Sequence, residues 1–92
     1  MKAYHLFHPN SMNPCGVIFA ENHRKARSKA LKGALYADYT FQEYTWFRVR
    51  RAPNLDSIAG PFLEAHPAFS REVVGRDMVQ DFIEQHSRKV AV

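Results

Sequence analysis

Arg24, Lys25, Arg27, Lys29 and Lys32 place five cations within nine residues, with only Glu21 close by to offset them. On one solvent-facing helix surface they would meet successive phosphates or an acidic protein surface. A second basic group is interleaved with aromatics in Tyr44-Thr45-Trp46-Phe47-Arg48-Val49-Arg50-Arg51. As a strand, this run puts Tyr44, Trp46, Arg48 and Arg50 on one face, roughly 6.6–6.8 Å apart. Rings at Tyr44 and Trp46 would stack on bases while Arg48 and Arg50 held phosphates, and Arg51, on the other face, is a further expected contact. The competing structural reading packs Trp46 beneath a helix and pairs the arginines with carboxylates. His5, His8, Cys15 and His23 do not read as a metal centre. Zinc needs four converging ligands, and His5 and His8 fall on opposite faces of a regular strand. There is no glycine-rich phosphate loop, nucleophile elbow or clustered carboxylate set, so binding is expected rather than catalysis.

The elements that must carry these residues can be read from periodicity. Ala3–His8 alternates as a first strand, with faces Ala3/His5/Phe7 and Tyr4/Leu6/His8. Pro9 to Pro14 is a loop, and Gly16–Ala20 is the returning strand of a hairpin. Asn22 is placed to cap a helix over His23 to Tyr36 or Ala37, whose apolar stripe is Ala26, Ala30, Leu31, Ala34 and Leu35. The aromatic-basic run Tyr44–Arg51 is the third strand, ended by Pro53. Phe47 and Val49 are then expected against Ala30, Ala34 or Leu35. A right-handed crossover sets the third strand beside the first, in spatial order 2-1-3. The expected fold is α+β: a three-stranded antiparallel sheet with a largely helical C-terminal segment.

In that segment Leu55, Ile58, Ala59, Phe62 and Leu63 have helical spacing, but Gly60-Pro61 interrupts it. Two short helical pieces or an irregular arm are expected there. From Ser70 or Arg76 to Ser87 a longer helix carries Val74, Met78, Val79, Phe82 and Ile83 on one stripe. Asp77 and Asp81 lie toward its start and Arg88 and Lys89 follow its end, as the helix dipole favours.

The chain has 92 residues, 46% hydrophobic and 24% charged, with a net charge of +4. That composition excludes wholesale disorder. Residues 1–53 are net +6, with nine Lys/Arg and three Asp/Glu, whereas residues 54–92 are net −2. Each half is small to fold alone, and a three-stranded sheet needs cover on its open face. One domain over 1–92 is therefore expected, with the basic unit at 1–53 and a mildly acidic extension at 54–92. A single cysteine, Cys15, fits a reducing compartment. No apolar run approaches the roughly 20 residues of a membrane span. A cytoplasmic protein is the default.

The opening hairpin, the helix "NHRKARSKALKGAL" and the strand ending "FRVRRAP" followed by "NLD" resemble a family of small phage and prophage proteins. The resemblance covers about residues 1–56 and is most specific over Arg48–Asp56. Some short basic proteins of such phages inhibit bacterial CRISPR–Cas immunity. The resemblance therefore implies a non-enzymatic inhibitor of a type I-F surveillance complex, acting in the cytoplasm of the infected bacterial host. Its implied partners are Cas protein subunits and the guide RNA or DNA backbone, with no cofactor, membrane or small-molecule substrate. Two other classes fit the residues: a general nucleic-acid-binding accessory protein, and a phage assembly protein that binds another phage product.

Overall fold

Alternating side chains at the chain start build β1 (Lys2–Phe7), which pairs antiparallel with β2 (Gly16–Ala20), Tyr4 opposite Ile18. The computed structural model describes residues 1–90, with side-chain surroundings given to residue 87. The loop between the strands turns at Asn10, whose φ of 62° is tolerated by an asparagine side chain. Cys15 N–H donates to Leu6 O and closes the hairpin.

Helix α1 (His23–Tyr36) starts where Asn22 accepts a hydrogen bond from Lys25 N–H at 2.9 Å, the expected cap. Its buried face is narrower than the sequence implied. Ala26, Ala30 and Ala34 are buried and Leu31 packs partly, but Leu35 is 50% exposed. Residue 35 lies about 100° around the helix from Ala34, off the line of alanines that lies closest to the sheet.

The expected strand over Tyr44–Arg51 is corrected at its start. Phe41–Tyr44 is a single helical turn, α2, and β3 covers only Arg48–Arg51. A capping box makes the turn: Thr40 Oγ1 accepts from Glu43 N–H, and Glu43 Oε1 accepts from Thr40 N–H. These local hydrogen bonds override the β preference of the aromatic residues. Phe47 and Val49 nevertheless bury where expected, in one cluster with Ala30, Ala34, Tyr4, Leu6 and Ile18.

The sheet is antiparallel with order β3-β1-β2-β4. Its first three strands realise the 2-1-3 order. The strand count is corrected from three to four, because β4 (Val74–Gly75) pairs with Val17 and Gly16 at the far edge. Val74, expected on the last helix, is therefore a strand residue.

On the second face, Ala3, Val17 and Phe19 meet Leu55, Ala59, Phe62 and Val79. Phe62 is fully buried, with ring centroids 5.4 Å from Phe19 and 5.2 Å from Phe82. It sits on α3 (Asp56–Ala65), one helix that runs through Gly60-Pro61 rather than two pieces. A residue before proline is disfavoured in helix partly through its Cβ, which Gly60 lacks. Helix α4 (Arg76–Val90) completes this layer with Asp77 in its first turn. It continues through Arg88 and Lys89, which thus lie within the helix rather than beyond it. The sheet is covered on both sides, so every residue of β2 is buried.

Candidate binding surface

Register decides which of the ten basic and aromatic candidates reach solvent. Val49 is buried against α1, so Arg48 and Arg50 project from the opposite face, paired with Phe7 and His5. The α1 cations therefore occupy a different face of the sheet from Arg48 and Arg50 and do not merge with them into one patch. Arg51, by contrast, shares the Val49 face and lies over the Tyr4 ring.

Six of the ten are engaged inside the molecule. Arg27 Nη1 donates to Phe47 O at 3.1 Å, and its guanidinium lies 4.9 Å from the Tyr44 ring centre. Tyr44 is buried, and its hydroxyl donates to Arg27 O at 2.7 Å. Lys29 Nζ donates to Phe19 O at 2.7 Å, and burial of its stem pushes the amine below its ordinary pKa. Arg48 donates to Ser11 O and stacks 5.1 Å from the Phe7 ring centre, latching the hairpin loop to β3. Arg51 pairs with Asp56 through both terminal guanidinium nitrogens. Lys25 pairs with Glu21 at 2.6 Å, and that hydrogen bond draws the Glu21 carboxyl below its usual range. Both partners of this last pair remain exposed, so it contributes little stability.

Arg24, Lys32, Arg50 and Trp46 face solvent. Trp46 is 61% exposed and lines an open depression with Pro9, Met12 and Arg48. Trp46 and Arg48 thus border the same depression, but a turn rather than the expected strand carries Trp46. No family model matches this chain, and no curated protein or solved structure is significantly similar to it.

The charge distribution along α1 is unfavourable for the helix itself. Its first turn carries His23, Arg24 and Lys25 and no acidic residue, beside the positive end of the helix dipole. An acidic partner would relieve that repulsion. Toward the other end of the same helix, Leu35 and Tyr36 are exposed, Tyr36 by 92%. Cationic and apolar groups thus share the solvent-facing side of α1.

The histidines take structural places. His23 Nε2 donates to Val49 O at 3.1 Å, His66 lies tilted against Phe62, and His86 stacks on Phe82. Among the described residues no three His, Cys, Asp or Glu side chains converge as a metal site. The same residues contain no helix long and apolar enough to cross a membrane.

Sequence reasoning missed a concavity beside α1. It is lined by Leu6, Phe47 and Val73 together with Tyr36, Tyr39 and Arg71. Its far wall comes from residues 71–73, which reach α1 only because β4 joins the sheet beyond β2. The exposed pair Leu35-Tyr36, adjoining a basic helix, is the local signal that could have marked it.

Proposed function

We propose that this chain is a non-catalytic inhibitor of bacterial CRISPR–Cas immunity. It seats its α1 face on a guide-loaded type I-F surveillance complex and obstructs engagement of target DNA. The reading rests on the likeness of residues 1–56 to small phage proteins. The observation that carries it is the α1 charge arrangement: solvent-facing Arg24 and Lys32, with no acidic residue in the first helical turn. Arg24 and Lys32 meet acidic Cas side chains or the guide backbone, and Leu35 and Tyr36 meet protein. The site of action is the cytoplasm of the infected bacterial host.

A gel-shift assay tests the proposal by comparing target-DNA binding by the assembled complex with and without a molar excess of this protein. Loss of the shifted band, with co-elution of the protein on size exclusion, is the expected result. Unchanged DNA binding without co-elution rejects the proposal. Co-elution with DNA binding intact moves the block to a step after recognition.

A second reading has one observation of its own, exposed Trp46 beside Arg48. A general single-strand-binding protein would use that ring for base stacking. It would bind free oligonucleotides with an affinity that falls steeply with salt, which a surveillance-complex inhibitor need not do.

A further inference from the structure

The concavity beside α1 has a volume of about 450 Å³, within the roughly 300–1,000 Å³ of small-molecule sites. Its floor is apolar, formed by Leu6, Phe47 and Val73. Aromatic edges crowd one wall. His8 and Phe47 meet at 5.0 Å between ring centres, Tyr39 and Phe47 at 5.1 Å and 76°, and Tyr36 stands at the rim. Such edge-to-face clusters favour a further ring over a flexible alkyl chain.

Charge at the pocket selects the polar end of the occupant. Lys29, Lys32 and Arg71 line it against one carboxylate, Glu72. The Lys29 amine is committed to Phe19 O, which leaves Lys32 and Arg71, both exposed, to meet an anion. Arg71 presents a planar fork that matches a carboxylate, and Lys32 adds a flexible point charge. We propose that this pocket binds a small aromatic carboxylate, its ring against Tyr39, Phe47 and Val73 and its acid group on Lys32 and Arg71. The inference goes beyond the proposed inhibition and does not depend on it, because binding here requires no partner complex.

The test titrates the isotopically labelled full chain with 2-naphthoate, and in parallel with neutral 2-naphthol, following backbone amide shifts by NMR. Saturable shifts confined to Gly33, Ala34, Ala37, Tyr39 and Val73 are expected with naphthoate. Naphthol should bind at the same amides about tenfold more weakly. The double variant Lys32→Glu/Arg71→Glu, altered only at exposed positions, should lose at least about tenfold in naphthoate affinity while its free spectrum stays dispersed. Absence of saturable shifts to about 5 mM naphthoate overturns the proposal, as does a shift pattern elsewhere on the fold. Equal affinity for the two probes also overturns it, since the cations would then contribute nothing. That wild-type comparison stands even if the double variant does not fold.

Discussion

Arg51 and Asp56 form a bidentate pair, 2.7 Å from Nη1 to Oδ1 and 2.5 Å from Nη2 to Oδ2, across the corner from β3 into α3. Asp56 Oδ1 also accepts from Ala3 N–H at 2.8 Å, and Arg51 Nη1 donates to Ala3 O. One carboxylate thereby ties an edge strand, the start of β1 and the first turn of a helix.

This pair predicts an acid-sensitive stability. The Arg51 hydrogen bonds, then the Ala3 amide, hold the Asp56 carboxyl at about 2, below its ordinary 3.8. The native state therefore favours the charged form. Its contribution is complete above the ordinary value and is lost as pH falls through about 2. Thermal melts between pH 7 and pH 2 should show Asp56→Asn with a lower Tm at neutral pH and a flatter acid limb. Parallel acid limbs for variant and parent would contradict this.

His5 is expected to weaken the fold. Its Nδ1 is buried without a hydrogen-bond partner, and burial lowers its pKa below 6.5. The folded state prefers the neutral ring, so stability should decline as pH drops from 6.5 through the lowered value. His5→Phe, beside the Phe7 ring, should gain about 1 kcal/mol and remove that decline. Urea denaturation at pH 5 and pH 7.5 measures both effects.

Two glycines should respond in opposite directions to alanine. A Cβ at Gly16 would lie 2.9 Å from Val74 O and 2.8 Å from Val73 Cγ1, so β4 would have to move. Gly16→Ala should cost about 1–3 kcal/mol. At Gly75, exposed in β4, a Cβ meets nothing within 4 Å and φ is not positive. Gly75→Ala should gain about 0.4–1 kcal/mol by narrowing the unfolded ensemble. A stabilised Gly16→Ala in urea titrations would show that β4 does not lie against β2.

Arg27 guards an exposed strand edge. Ala52 N–H bonds Ala3 O, so the alternating carbonyls of Phe47 and Val49 face away from β1. Arg27 and His23 cover those two carbonyls. Arg27→Ala should cost about 1–2 kcal/mol and make sedimentation concentration-dependent, because it uncovers an edge that a second chain can pair with. Arg24→Ala, on the same helix without such a contact, should change stability by less than about 0.5 kcal/mol. Equal effects of the two substitutions would deny Arg27 this role.

What the sequence determined by itself lies at short range. Alternation placed β1 and β2, Asn22 marked the start of α1, and the helix and strand periods together put Phe47 and Val49 against Ala30 and Ala34. The Thr40–Glu43 capping box was equally local, but the aromatic run beside it carried the stronger pattern. A two-residue strand such as β4 has no period to read, and Gly60-Pro61 looks like a break until a packed Phe62 holds the helix through it. The fate of the cations was decided by tertiary structure alone. Arg27, Lys29, Arg48 and Arg51 look alike along the chain, yet each is drawn to a carbonyl or carboxylate. Most of these acceptors are distant in sequence, and all are oriented by register and helix placement. Charge type is a property of the residue, whereas the presence of a partner depends on which strand edges and helix faces the fold brings together. Arg24 and Lys32 were left to solvent for that reason, and Arg71 reached the pocket beside α1 only when β4 closed onto β2.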